Sequence, residues 1–243
     1  MKTIALVILT TGAASAAATG GAPLASPTVN VGDTWVYRDT VEKGPGGWNQ
    51  TRDEVTVSRV TSSSIYFSTK PTGSSQAPKE SFSGLDWSRV RDVDGKETVV
   101  NRPLQFPLAV GKTWDIEYTE QHPNKKFKSE QWQQKYQVVG VETVTVPAGK
   151  FEAIKIEEEG HWTAELEPGQ SVAQGAQVTP DSTTLVTQTE KARAEPVSGR
   201  TYKAFWYVPE YKRWVKSVEE YYSSGGVRNE RYTTELESFK PGE

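Results

Sequence analysis

The 243-residue chain has no cysteine, one methionine and only two histidines. Without cysteine it can form no disulfide, thiolate metal site or cysteine nucleophile, and it cannot carry the lipidated cysteine that anchors bacterial lipoproteins. Charge of one sign is lacking too: 28 basic residues stand against 31 acidic ones, mixed along the chain, for a formal net charge of -3. No basic field is therefore available to attract nucleic acid. The longest apolar run near the start, Ile4 to Leu9, is too short to span a bilayer, so no transmembrane segment is expected. Apolar residues do not recur at helical spacing over three turns beyond the first residues, so helix should be scarce. A G-x-S-x-G elbow, an S-x-x-K pair and a nucleotide loop are all missing, so neither a cofactor nor an enzyme is expected.

What is present begins with a secretory layout. Residues 1–16 carry Lys2, the short apolar core and small residues ending in Ala14-Ser15-Ala16, the pattern of a signal peptide. Its removal takes one positive charge, so the mature net charge becomes -3 - 1 = -4. Residues 17–27 are mostly small and are expected to form a flexible leader. A secreted chain of this size without one disulfide fits a bacterial periplasm or exterior.

The folded part reads as strands throughout. Residues 136–158, YQVVGVETVTVPAGKFEAIKIEE, hold two β-branched runs around Val146-Pro147-Ala148-Gly149. Pro147 presets φ for the second position of a type I turn and Gly149 suits the fourth, so a hairpin is expected. Further hairpins are expected around Asp94-Gly95, around Pro209 and at Ser223-Ser224-Gly225-Gly226. The opening Val31-Gly32-Asp33-Thr34-Trp35 returns as Val110-Gly111-Lys112-Thr113-Trp114, displaced by 111 - 32 = 79 residues. Each opening leads through a polar segment, 43–49 or 121–128, into a β-branched strand pair. This suggests a duplicated unit: a first β repeat over 28–109 and a second over 110–240, as two halves of one curved sheet or two packed sheets. Residues 164–181 interrupt the pattern and are expected to form a long loop.

Eight tryptophans offer the broad platforms that sugars, lipids and peptides use. Trp35 and Trp114 open strands and are expected in the core, whereas Trp132, Trp162, Trp206 and Trp214 flank polar residues and are the candidate ligand-binding positions. Glu157, Glu159 and His161 alternate onto one face and could be read as a ligand cluster. A solvated acidic sheet edge explains them more simply, so no metal site is assigned. His122 has no evident role, and Lys125, Lys126 and Lys128 read as a solvated hairpin tip beside Glu120 and Glu130.

Three motifs together carry a resemblance: the 110–114 opening, Val144-Thr145-Val146-Pro147-Ala148-Gly149-Lys150-Phe151-Glu152-Ala153, and Trp206-Tyr207-Val208-Pro209. The chain resembles a group of bacterial exported domains of unknown function with V-G-x-T-W, V-P-A-G-x-F-E-A and W-Y-x-P elements. That group is similar in architecture to the half-open β barrel of lipoprotein-carrier proteins. The match spans about 110–239, with 31–100 as a degenerate copy lacking the V-P-A-G turn. The resemblance implies a fold and no catalytic residues.

The expected fold is all-β: a large curved antiparallel sheet or half-open barrel built from two degenerate repeats. The expected function is binding of an apolar or amphipathic ligand, or an envelope component, on the concave aromatic face. The expected partner is a lipid, lipopeptide, glycan or envelope protein. The alternatives are a protein–protein interaction module without a small-molecule pocket and, third, an unrecognised hydrolase.

Overall fold

A computed structural model describes residues 22–167 and 196–242. The expected signal peptide, the start of the leader and positions 168–181 of the expected loop lie outside the described residues.

Strands β1 (Thr34–Glu42), β2 (Trp48–Val60), β3 (Ser64–Pro71) and β4 (Lys79–Gly84) run as one meander. A small separate hairpin follows, β5 (Arg89–Val93) and β6 (Lys96–Asn101). The second meander is β7 (Thr113–Asn124), β8 (Phe127–Val146), β9 (Gly149–Leu166), β10 (Val197–Val208), β11 (Arg213–Ser223) and β12 (Arg228–Lys240). Pairing of β12 with β1, from Thr34 opposite Lys240 to Glu42 opposite Arg231, joins both meanders into one antiparallel sheet. Its order is β4-β3-β2-β1-β12-β11-β10-β9-β8-β7. The sheet is curved and not closed, since β4 and β7 remain its two edges. The chain is nearly all β, and two single 3-10 turns, Gly44–Gly46 and Pro209–Tyr211, are the only helical pieces among the described residues.

Turn chemistry sets the hairpins. Val146 lies opposite Gly149, so Pro147 and Ala148 alone make the turn, and the Ala148 N–H donates to the Leu236 carbonyl at 2.9 Å, tying this tip to β12. Asp94 (φ 53) and Gly95 (φ 82) both take positive φ, as the tight turn between right-twisted strands requires.

The two V-G-x-T-W openings build the same corner. Gly32 and Gly111 have φ of +85 and +83, and their N–H groups donate to Val57 and Val138 carbonyls, each at 2.8 Å. Val57 and Val138 return hydrogen bonds of 2.9 Å to the carbonyls of Asp33 and Lys112. Each corner drops a tryptophan into the core, where Trp35 and Trp114 are both buried. The indole N–H of Trp35 donates to the Tyr211 carbonyl at 2.8 Å and that of Trp114 to the Arg102 carbonyl at 3.0 Å.

One face of the sheet is covered, and the core lies beneath the cover. Leu104 and Leu108, between β6 and β7, are buried there, with Leu24 and Phe106 packed alongside. Trp35 stacks on Phe239 at 5.3 Å between ring centroids and meets Trp87 edge-on at 5.5 Å. Full burial of such side chains contributes about 1.5–3 kcal/mol each. The Arg213 guanidinium lies among these rings, 4.4 Å from the Trp214 centroid and 4.6 Å from that of Trp87.

Several boundaries differ from expectation for physical reasons. Leu24, inside the segment expected as a free leader, exchanges two 2.8 Å backbone hydrogen bonds with Leu108. Positions 164–166 of the expected loop belong to β9, because Ala164 is buried between Glu130 and Val197. The polar segment 121–128 holds little turn, since β7 and β8 run out to Asn124 and Phe127. Finally, Glu157, Glu159 and His161 sit on β9 between β8 and β10, an interior strand with a partner on each side, and not at the sheet edge.

Candidate functional site

The covered face is organised in rows that cross the strands, because residues opposite each other in an antiparallel ladder project to the same side. One row is aromatic: Tyr118 on β7 faces Trp132 on β8, which faces Trp162 on β9. Tyr118 and Trp132 stack at 6.3 Å with 13° between their planes, and Trp132 lies 6.1 Å from Trp162. On β10 the row continues with Gly199, where a Cβ would fall 2.7 Å from the Trp162 indole nitrogen. The indole therefore lies across a position that only glycine can occupy.

The next two rows are polar. The first runs Gln134, Gly160, Thr201, Tyr221, and the second Tyr136, Glu158, Lys203, Glu219. Glu158 has no solvent exposure, and its carboxylate occupies the space above Gly160, where a Cβ would come within 2.4 Å of Oε1. The Thr201 hydroxyl donates to Oε1 at 3.1 Å, while Oε2 has no hydrogen-bond partner. Burial raises the Glu158 carboxyl above its ordinary range, against the pull of Lys203 and the Thr201 hydrogen bond. Lys203 is itself only 5% exposed. Its ammonium has Gln134 Oε1 at 3.4 Å and Glu158 Oε1 at 4.0 Å. Three N–H donors thus share two long contacts, which leaves hydrogen-bonding capacity directed elsewhere.

The β5–β6 hairpin roofs these rows. Arg91 forms a two-pronged ion pair with Glu120 of β7, and Asp94 accepts from the Gln121 N–H at 2.9 Å. Gln134 donates to the Val100 carbonyl at 3.2 Å, and the Tyr136 hydroxyl lies 2.6 Å from Asn101 Oδ1. Between roof and sheet is a cavity of about 300 Å³, lined among others by Arg89, Tyr118, Trp132, Gln134, Lys203 and Glu219. Burial also raises the Tyr118 and Tyr221 hydroxyls, which stay protonated and able to donate.

The four tryptophans expected at the site do not converge. Trp132 lines the cavity and Trp162 extends its aromatic wall. Trp206 is mostly buried, with the Lys155 and Lys216 ammonium groups 5.3 and 5.8 Å from its ring. Trp214 packs into the core against Phe205 and Trp87. Glu157, Glu159 and His161 line a separate open depression of about 770 Å³ with Lys135 and Arg200. No group of three or more histidine or carboxylate side chains among the described residues is placed to hold a metal ion. His122 lies at the β7–β8 tip with Nδ1 2.7 Å from Glu167 Oε1.

Sequence reasoning missed Lys203, Gln134, Tyr118, Arg89 and Glu219. One signal was available: Lys203 is the lone charge in Tyr202-Lys203-Ala204-Phe205-Trp206-Tyr207-Val208, a run that is otherwise buried or half-buried.

A scan against protein-family models and a search among curated proteins each give no match. Solved structures with a similar chain course include a lipoprotein candidate from Parabacteroides distasonis, 15% identical, with 90% of this chain and 99% of that one covered and a TM-score of 0.43. An exported-protein candidate with a YmcC-like fold from Bacteroides fragilis is 14% identical, with 90% and 99% covered and a TM-score of 0.38. The hypothetical lipoprotein YmcC from Escherichia coli is 11% identical, with 86% and 85% covered and a TM-score of 0.32. These neighbours are bacterial lipoprotein or exported-protein candidates, and likeness at this level says nothing of ligand or activity.

Proposed function

We propose that the chain is an exported binding protein without catalytic chemistry of its own, and that its cavity holds an amphipathic ligand of the saccharide class. The signal-peptide layout of residues 1–16 supports export to the periplasm or exterior. The observation that carries the binding reading is the cavity of about 300 Å³, which combines the near-parallel rings of Tyr118 and Trp132 with the under-satisfied Lys203. Its volume lies at the lower end of the range for small-molecule sites.

The lining selects among ligand classes. A fatty chain would cover Lys203, Gln134 and Glu219 without returning hydrogen bonds, at a cost of about 1–3 kcal/mol for each polar group left unmatched. A pyranose suits the lining better, since its C–H faces can rest on aromatic rings while its hydroxyls both donate and accept. Lys203 and Arg89 supply donors and Glu219 an acceptor, while the Gln134 oxygen is already engaged by the Tyr136 hydroxyl and Lys203. The mixed charges match a neutral or weakly charged sugar more closely than a simple anion.

The test is a titration of the purified protein with saccharides, lipopeptides and fatty acids, followed by tryptophan fluorescence and calorimetry. Saccharides are expected to shift the emission, and Trp132→Ala to weaken binding about tenfold, the effect of losing roughly 1.4 kcal/mol of ring contact. Fatty acids that bind while no saccharide does at millimolar concentration would overturn the reading. Silence from every ligand, with a stable protein partner recovered from envelope extract, would favour a protein–protein interaction module instead.

A further inference from the structure

We propose that one end of the sheet is a docking surface for an anionic lipid bilayer, entered by Trp48 and Val227 and steered by lysines on the hairpin tips at that end. The proposal stands apart from the saccharide reading of the cavity. Trp48 is 69% exposed and Val227 65%, the two highest values among the exposed large hydrophobic residues described. One such residue alone is ordinary on a protein surface. These two stand on touching turns. Trp48 opens β2 opposite Glu42, in the solvent-face row that continues through Arg231 and Glu220. Glu42 pairs at 3.1 Å with Arg228, the residue after Val227, and a Cβ at Gly44 would lie 3.7 Å from the Asn229 carbonyl oxygen. Both turns are fixed by backbone hydrogen bonds: Gly46 N–H to the Lys43 carbonyl at 2.7 Å, and Ser223 N–H to the Val227 carbonyl at 2.9 Å. The apolar pair is therefore presented before any partner arrives. Where the sheet ends beside Trp48, a concavity of about 370 Å³ with Lys43 and Tyr232 in its wall gives room for a lipid headgroup against the indole.

The β7–β8 tip comes out at the same end. The row of Glu42 reaches Lys135 on β8 through Arg231, Glu220, Tyr202 and Glu159, and β8 begins 135 - 127 = 8 residues before Lys135, at Phe127. That overhang is roughly 26 Å at about 3.3 Å per residue, against roughly 24 Å for the strand spacings from β1 to β8 at about 4.8 Å each. The line of tips thus slants across the strands by about 45°, close to the strand tilt of barrels, so the tips level out along one rim. Lys125 and Lys126 at this tip are exposed, as is Lys43, and none of the three has an ion-pair partner among the described residues. The carboxylates nearby are already engaged: Glu42 by Arg228 and Arg231, Glu165 by Lys128, Glu167 by His122, Asp94 by the Gln121 N–H and Glu230 by the Tyr232 hydroxyl. The net charge of the chain is negative, so attraction to an anionic surface has to come from such a local excess of lysine, which acts within a Debye length. Tryptophan favours the headgroup layer, where its ring is buried and its N–H stays wet. Trp48 and Val227 would enter that layer while the lysines meet lipid phosphates.

The experiment mixes the purified chain with vesicles of phosphatidylcholine alone, or of phosphatidylcholine and phosphatidylglycerol in equal parts, and measures co-sedimentation, with far-UV circular dichroism to verify each variant. The anionic vesicles are expected to bind the wild-type chain at least about tenfold more tightly than the neutral ones, and added salt to weaken that binding. Trp48→Ala and Val227→Ser should each weaken it several-fold. Lys126→Glu should weaken it at least about tenfold. Lys150→Glu, the same change of charge beside the β8–β9 turn at the opposite end of the sheet, should leave it near the wild-type value. Lipids with brominated acyl chains should quench the wild-type tryptophan emission and quench that of Trp48→Phe far less. Equal affinity for both vesicles, indifference to Trp48→Ala, or equal losses from Lys126→Glu and Lys150→Glu overturns the docking surface. So does a wild-type chain that ignores both vesicles, even one that captures an envelope protein through Trp48.

Discussion

At the scale of single residues, Asp33 shows how much one carboxylate can tie together. It has no solvent exposure and accepts from Lys212 Nζ at 2.8 Å, from the Asn30 N–H at 2.7 Å and from the Gly242 N–H at 2.8 Å. It joins the start of β1 to the turn after β10 and to the chain beyond β12. Asp33→Asn keeps the shape but removes the charge and turns an amide toward existing donors, so it should destabilise the fold by about 3 kcal/mol, read as a lowered urea midpoint at unchanged m-value. Nothing local announced this pairing, because Lys212 lies 179 positions along the chain.

Glu158 gives a residue-scale prediction of another kind. Burial holds its carboxyl above the ordinary value of 4.5. Through the window from that value up to the folded one, the unfolded chain has released a proton that the native state keeps. Stability contributed by Glu158 is thus full below the ordinary value and declines as pH rises through the window. Glu158→Gln should remove this decline, whose slope for one proton is at most about 1.4 kcal/mol per pH unit. Urea unfolding of both proteins from pH 4 to 8 measures the difference, and parallel curves would show that Glu158 does not titrate in this range. Glu235 works in the opposite sense. Burial would raise its carboxyl, but hydrogen bonds from Arg38 and Lys216 outweigh that and lower it, so its contribution is lost as pH falls through the depressed value.

At the scale of elements, the paired openings can be tested against each other. Alanine at either glycine must adopt a positive φ, which costs about 1–2 kcal/mol for an L-residue. A Cβ at Gly111 meets nothing within 4 Å, whereas at Gly32 it lies 3.4 Å from the Gly242 Cα. Gly111→Ala should therefore report backbone strain alone, and Gly32→Ala should cost at least as much. Thermal unfolding of both variants checks this, and a harmless Gly111→Ala would show that the corner relaxes.

The same elements mark what the sequence could reveal. Hairpins were legible because their turns are local: Pro147 and Gly149, Asp94 and Gly95, and the 223–226 linker each specify a reversal by backbone preference. Strand lengths were less legible. In Gln131-Trp132-Gln133-Gln134-Lys135-Tyr136 the inward residues include a buried glutamine, so the segment reads as polar although it alternates as a strand must. The Glu157, Glu159, His161 set looked like an edge because acidic alternation is common there, yet here it is the solvent face of an interior strand.

At the scale of the molecule, the fold class was legible and the strand order was not. Alternation identifies strands, but nothing in residues 34–42 names residues 231–240 as a partner. The candidate cavity was hidden for the same reason. Its lining comes from β5, β6, β7, β8, β10 and β11, with at most two residues from each. Of the four tryptophans chosen for their polar neighbours, Trp132 lines the cavity and Trp162 extends its wall, although the flanking polar residues themselves project to the opposite face of the sheet. Trp206 instead lies beside the Lys155 and Lys216 ammonium groups, and Trp214 packs among Phe205, Trp87 and the Arg213 guanidinium, both away from the cavity.

The seam between the first and last strands also governs how this protein can be made. One flank of β1 has no partner until β12 has been synthesised, and bringing such distant segments together demands a large loss of chain entropy before any contact rewards it. Pairing of β12 with β1 should accordingly be the late, slow step. For a chain proposed to be exported, that delay is an advantage, since a polypeptide that cannot complete its architecture early stays extended enough to be translocated. Until then, the waiting flank of β1 is where a holding chaperone, or a stray strand from another copy, would find its grip.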